Sequence, residues 1–387
     1  MPAIVVVGGQ WGDEGKGRVV DLLAEKSHIV ARYSAGNNTG HTVINSLGEF
    51  KLHLVPAGIF YPDKVCVIGN GVAVDPRVLL KEIEELEASD VGVRGRLFVS
   101  DRAHVIMPYH QLIDKLDETL RGKGAIGTTG RGVGPCFFDK VGRAGVRMAD
   151  LVDAEALLSV LSFVLPYKNA FLEKLYEAEP LSMEQVHAEY AEYGRRLAPF
   201  VADTSSMVQE ALAAGQTALL EGAQGALLDL DAGTYEYVTS SVPSSLTGGA
   251  TIGLGIGPTQ VDRVLGVYKA YCTRVGNGPM PTEIVGSEGD ALRERGAEFG
   301  ATTGRPRRCG WFDAVAARYS ARVNGLSAFA LTRLDVLDQF ETIKIGTAYK
   351  LDGAVTEEFP GGAAVLARAQ PIYEEHSGWR ADTSGVR

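Results

Sequence analysis

The beginning of the chain constrains its fold more than any other part. Ile4-Val5-Val6-Val7 is apolar and entirely β-branched, and it closes on Gly8 and Gly9. The chain then passes through Gln10-Trp11-Gly12-Asp13-Glu14-Gly15-Lys16-Gly17 into a stretch with a broad apolar face of Val19, Val20, Leu22, Leu23 and Ala24. A short unbroken apolar run reads as a strand buried on both faces, and the period that follows reads as a helix. A second apolar run over residues 28–33 completes a βαβ unit. Parallel strands need crossover connections, so this unit commits the chain to an α/β architecture.

Later segments continue the alternation. Val78, Leu79, Leu80, Ile83 and Leu86 recur at helical spacing behind Asp75-Pro76, an N-cap residue and a proline suited to the first turn. Strand-like runs follow at 97–100, 218–220, 264–275, 328–331 and 342–349, with a helix expected over 312–323. Residues from about 150 to 216 are rich in Ala, Leu, Glu and Tyr and read as a mainly helical insertion that serves packing and a dimer surface. No distinct linker or internal repeat interrupts the chain, so residues 1–387 are expected to form a single elaborated domain. Its fold class is α/β, P-loop-like, with a mostly parallel central sheet flanked by helices.

Composition narrows the chemistry. A chain of 387 residues that is 45% hydrophobic has material for a sizeable core. A net charge of -10 argues against a broad nucleic-acid surface but leaves room for a local basic pocket that takes small phosphates. Cys66, Cys136, Cys272 and Cys309 are too scattered for a zinc ribbon and too few for a disulfide scaffold, so reduced thiols are expected. No basic leader opens the chain and no run nears ~18 apolar residues, which points to the cytosol and away from membranes.

Five segments carry the candidate chemistry. The first loop lies between a strand and a helix N-terminus, where free amides and the helix dipole favour an anion. It is not a Walker A sequence: Gln10 stands where the first glycine should be, and Gly17 replaces the metal-holding hydroxyl. Asp13 is therefore the candidate metal ligand, since magnesium prefers a carboxylate with phosphate oxygens and water, and Lys16 the candidate phosphate neutraliser. The second segment, Gly36-Asn37-Asn38-Thr39-Gly40-His41-Thr42-Val43, follows the second strand. The third, Gly127 to Pro135 with Arg143 and Arg147 behind it, suits an oxyanion or is a solvent-facing turn. In the fourth, Glu221-Gly222-Ala223-Gln224-Gly225-Ala226, Gln224 reads a carbonyl or base edge, or is a turn residue. The fifth, Ala301-Thr302-Thr303-Gly304-Arg305-Pro306-Arg307-Arg308, concentrates arginines in an acidic protein and can grip a dicarboxylate.

Taken in this order, the five segments resemble the adenylosuccinate synthetase family over residues 4 to about 340. The resemblance implies a magnesium-dependent, GTP-dependent ligase that phosphorylates O6 of IMP and then joins the product to L-aspartate, with release of GDP and phosphate, in AMP biosynthesis. It implies Asp13, His41, Lys16 and Gln224 as catalytic residues: Asp13 the base for N1 of IMP, His41 the acid at the migrating phosphoryl group. It implies IMP contacts from Asp13, Glu14, Gly15, Lys16, Asn38, Thr39, Gly40, His41, Thr129, Gln224, Thr239 and Arg305. Arg143 would reach the IMP phosphate from a second subunit of a homodimer. GTP would meet Gly12 to Arg18 (Gly12, Asp13, Glu14, Gly15, Lys16, Gly17, Arg18), Gly40, His41, Thr42 and Arg307, with Arg333, Leu334 and Asp335 at the guanine. Aspartate would meet Ala301, Thr302, Thr303, Gly304, Arg305, Pro306 and Arg307, and magnesium would meet Asp13 and the Gly40 carbonyl.

The chain departs from the family pattern at Thr39, usually alanine, at Ala232, usually histidine, and at Arg333, commonly lysine. It also stops at Arg387, where bacterial members continue into a helix and a loop that completes the guanine pocket, which makes selectivity for GTP over ATP a question for assay. The competing readings are a nucleotide-binding paralogue without turnover and a generic GTPase switch.

Overall fold

The computed structural model describes residues 3–45, 47–300 and 304–385. Its central feature is an eight-stranded sheet in the order Val201–Ala202, Leu97–Ser100, Val65–Ile68, Ile29–Arg32, Ala218–Gly225, Ala3–Gly8, Val261–Lys269, Ala328–Thr332. Five neighbouring pairs run parallel, among them Ile29–Arg32 with both Val65–Ile68 and Ala218–Gly225. Ala3–Gly8 is almost wholly buried, as the β-branched run requires, and the helix Lys16–Ala24 follows its loop.

The chain divides into two compact units. The first takes in Val20–Gly222 and Ser240–Asp262 with the first residues of the chain. Its helices include Pro76–Glu87, Pro108–Arg121, Val133–Gly142, Ala154–Tyr176, Met183–Leu197 and Thr204–Ala213. Pro76–Glu87 starts as the sequence requires: Asp75 accepts from the amides of Arg77 and Val78, with proline at the first turn. Three of the others are tied by a buried ion cluster, in which Asp139 meets His110 Nε2 at 2.8 Å and the Lys168 ammonium.

The second unit takes in Val6–Val19, Ala223–Thr239 and the chain from Arg263. Its core includes Trp11, Leu227, Cys272, Val315 and Tyr349, and a second cluster joins Tyr271, Leu292, Cys309, Trp311 and Leu337. Thr342–Leu351 pairs antiparallel with Ala354–Thr356 and Gln370–Ser377 and parallel with Phe312–Asp313.

Two sequence expectations are refined. The strand expected over 264–275 is two strands, Val261–Lys269 and Cys272–Arg274, broken at Ala270-Tyr271. The strand expected at 218–220 runs on to Gly225, so the fourth segment is itself strand and not a turn behind one.

Candidate active site

The first loop owes its shape to glycine and to one buried carboxylate. Gly12 and Gly15 have φ of 88°, and Asp13 has φ of 59°, a left-handed conformation uncommon outside glycine. A Cβ on Gly225 would stand 2.2 Å from the Gln10 carbonyl and 2.5 Å from the Gly12 amide, so that strand passes the loop at backbone contact. Glu14 is fully buried and folds back on the loop: Oε1 accepts from the amides of Gln10 at 3.0 Å and Gly12 at 2.9 Å, and Oε2 pairs with Lys16 Nζ at 2.6 Å. Burial would raise the Glu14 carboxyl, but Lys16 and the amides prevail and hold it below its ordinary value. Asp13 points the other way. Its side chain is 42% exposed, and Oδ2 lies 3.0 Å from Arg307 Nε, an ion pair without hydrogen-bond alignment.

Arg307 is gripped from behind. Its Nη1 donates to Glu298 Oε2 at 2.7 Å, and its amide donates to the Glu298 carbonyl at 2.9 Å. Glu298 Oε1 also accepts from Lys269 Nζ at 2.7 Å and from the Tyr271 hydroxyl at 2.5 Å. Burial would raise Glu298, yet Lys269, Tyr271 and Arg307 lower it, while burial pulls the Lys269 ammonium below its usual range against the opposing pull of Glu298.

In the first unit, His41 opens the strand His41–Asn45 of a hairpin with Gly48–Leu52. Its Nδ1 lies 3.6 Å from Glu221 Oε1, and Nε2 is buried without a partner. Burial depresses the imidazole; Glu221 opposes that, while Arg32 and His53 add to it. Register puts Glu221 directly across from Arg32 on the neighbouring strand. The Arg32 guanidinium donates to the His53 carbonyl and to the Thr39 hydroxyl, so Thr39 gives Arg32 an acceptor that alanine at this position could not supply. Asn38 Oδ1 is also buried without a partner.

The other expected residues are placed as follows. Gln224 is 7% exposed and both polar atoms of its side chain lack a partner. Thr129 is exposed, and Arg143 is an exposed left-handed cap at the end of Val133–Gly142. Gly40, Thr42, Arg18, Gly304 and Arg305 are exposed, Thr239 half-buried. Ala301, Thr302 and Thr303 lie outside the described residues. Arg333 has φ of 63°, precedes the turn Leu334–Leu337 that holds Asp335, and donates to the Gly296 carbonyl. Ala232 acts through its backbone, its carbonyl accepting from Tyr319 at 2.8 Å. Sequence reading gave no part to Glu298, Lys269 or Arg32. The usable signal was a charge inside an otherwise apolar strand, as in His28-Ile29-Val30-Ala31-Arg32-Tyr33.

Among the described residues no three His, Cys, Asp or Glu side chains form a metal cage. Asp13, one half-exposed carboxylate in a loop that runs into a helix N-terminus, suits a magnesium ion that keeps water and phosphate oxygens. A mostly parallel α/β sheet whose first strand feeds a glycine-rich loop, with a carboxylate of that loop paired to an arginine, defines a phosphate-handling enzyme of the P-loop-like class.

Comparison makes this specific. The family model for adenylosuccinate synthetase matches residues 5–387. The chain is 53% identical to adenylosuccinate synthetase of Heliobacterium modesticaldum over all of its length and 90% of that protein. It is equally similar to that of Synechocystis sp., 53% over 99% of this chain and 86% of the other. The structure of fully ligated adenylosuccinate synthetase from Plasmodium falciparum superposes with a TM-score of 0.91 at 37% identity, covering 99% of this chain and 89% of that one. The chain belongs to the adenylosuccinate synthetase family.

Proposed function

We propose that this chain joins IMP and L-aspartate into adenylosuccinate through 6-phosphoryl-IMP, with Asp13 as base and His41 as acid. Family membership carries the overall reaction, a GTP-dependent ligation in AMP biosynthesis. The observation that supports the residue roles best is the 3.0 Å pair between Asp13 and Arg307, because it joins the first and fifth segments at a carboxylate.

Asp13 removes the N1 proton of IMP, which makes O6 nucleophilic toward the γ-phosphorus of GTP. Transfer of this kind is mostly positioning and charge neutralisation. Lys16, paired with Glu14 at 2.6 Å, is the loop's cation for phosphate charge, and Gln224, with both polar atoms unpaired, is suited to the base edge. When bound, magnesium would be held by Asp13 and the Gly40 carbonyl and would neutralise phosphate charge. Burial lowers the His41 pKa, and a phosphoryl anion arriving at Nε2 would add to Glu221 in favouring the protonated form. The proton then sits where a leaving or migrating oxygen can take it.

Arg305 and Arg307 grip aspartate together with residues 301–304, and Asp335 reads the guanine beside Arg333. A homodimer in which Arg143 reaches the second subunit's IMP phosphate belongs to the same proposal, supported by the exposure of Arg143, Phe138 and Phe163. So does the expectation of one elaborated domain. A cytosolic location is supported by four buried free cysteines, the expected state of thiols in a reducing compartment. No helix among the described residues is long and apolar enough to cross a membrane.

A coupled assay with IMP, GTP, magnesium and aspartate tests the proposal. Adenylosuccinate is expected only with all four present. GTP hydrolysis without IMP would instead mark a GTPase, and folded protein without product would mark a silent paralogue.

A further inference from the structure

Glu298 is a buried carboxylate that the reaction leaves without a part. It is 1% exposed, yet Lys269, Tyr271 and Arg307 all aim side-chain donors at it, and Arg307 also donates its amide to the Glu298 carbonyl. Lys269 is just as buried, and its ammonium also donates to the Thr273 hydroxyl at 2.8 Å and lies over the Tyr271 ring. Two cations and two anions, Lys269, Arg307, Glu298 and Asp13, thus follow one another in a chain of contacts of 3.0 Å or less.

This arrangement does more than neutralise charge. Both the backbone and the head group of Arg307 are referred to one residue, so its guanidinium is held by one edge and its Nε is turned to Asp13. A planar fork fixed at one edge presents its remaining donors in a set direction. The loop is stitched to the same strand, since Gln10 accepts from the Lys269 amide at 3.0 Å and donates to the Lys269 carbonyl at 3.1 Å.

We propose that Glu298, with Lys269 as its counter-charge, is a positioning residue that sets the guanidinium of Arg307 for the carboxylate of the amino-acid substrate. This role rests on Arg307 gripping aspartate, as proposed above. Glu298 touches no reacting atom and acts through Arg307.

A glutamine at 298 can offer Arg307 only an uncharged carbonyl oxygen in place of the charge-assisted pair, so it holds the guanidinium more weakly. Because Glu298→Gln alone strands a buried ammonium, the measured variant is Glu298→Gln with Lys269→Met, which removes both charges at similar volume. Steady-state kinetics with each substrate varied in turn, beside thermal unfolding, give the readout. The aspartate KM is expected to rise about tenfold or more, equivalent to about 1.4 kcal/mol per tenfold, with a smaller rise for GTP, which Arg307 also approaches, and the IMP KM within about twofold. A folded variant with unchanged aspartate KM, or with all three KM values rising together, overturns the assignment. Should the double variant not fold, Glu298→Asp, which keeps the charge and withdraws it from Arg307 by one methylene, is held to the same outcomes. Wild type assayed alongside separates the two ideas: a wild type that makes no adenylosuccinate overturns the proposed function as well, whereas an active wild type confines the failure to Glu298.

Discussion

Asp13 and Glu14 are adjacent carboxylates with opposite duties, and substitution should tell them apart. Asp13 is partly exposed and its partner is an arginine held elsewhere, so Asp13→Ala should abolish turnover while costing only about 1 kcal/mol of stability, measured by the coupled assay and by thermal unfolding. Lys16→Met should behave differently. It leaves the fully buried Glu14 without its cation, and unfolding in denaturant should show a loss of about 3–5 kcal/mol. His41 offers a pH test. Its acid role needs the protonated ring, and Glu221 is the neighbour that most favours that form. Glu221→Gln should therefore lower the His41 pKa further and move the alkaline limb of kcat to lower pH; an unmoved limb would separate Glu221 from His41.

Among the elements, the helix Ala314–Asn324 carries its own pH dependence. Asp313 caps it, accepting from the Ala316 amide at 3.0 Å and from the Tyr349 hydroxyl at 2.7 Å, and burial pushes its carboxyl up to about 6. A raised folded pKa means that the native state holds the proton more tightly than the unfolded chain. The resulting stabilisation is complete below about pH 4 and is lost as pH rises through about 6. Asp313→Asn keeps the cap but cannot titrate, so its stability relative to wild type should improve by about 2–3 kcal/mol between pH 4 and pH 7.5. The strand Ala218–Gly225 allows a steric test: Gly225→Ala should disable the first loop and lower the thermal midpoint, because the Gln10 carbonyl and Gly12 amide have no room to retreat. These elements also show what was legible beforehand. Ala3–Gly8 and Pro76–Glu87 could be read from local pattern, because β-branched burial and an Asp-Pro cap are written in neighbouring residues. The split at Ala270-Tyr271 could not, since it follows from where those residues pack, with Tyr271 against Leu292 and Trp311. Asp13, His41 and Arg307 stood out in glycine-rich segments, whereas Glu298 and Lys269 acquire meaning only from each other, across chain distance that no local pattern spans.

For the whole molecule, the proposed dimer predicts complementation. Arg143→Leu and Asp13→Ala protein should each be inactive alone, and mixing should restore activity as heterodimers form with one intact site; mixtures that stay silent despite subunit exchange would count against a shared site. Nucleotide choice is tested by running ATP beside GTP in the coupled assay, with Asp335 expected to favour guanine. Glu14 bears on how the molecule keeps its first loop in one shape. Its carboxylate already occupies the amides of Gln10 and Gly12 and the ammonium of Lys16, the same donors a phosphate would seek. The Gln10 and Gly12 amides are therefore satisfied from within the loop itself. A residue between two glycines of left-handed φ thus acts as a built-in anion that holds the loop's backbone in shape, a brace that costs no extra segment of chain.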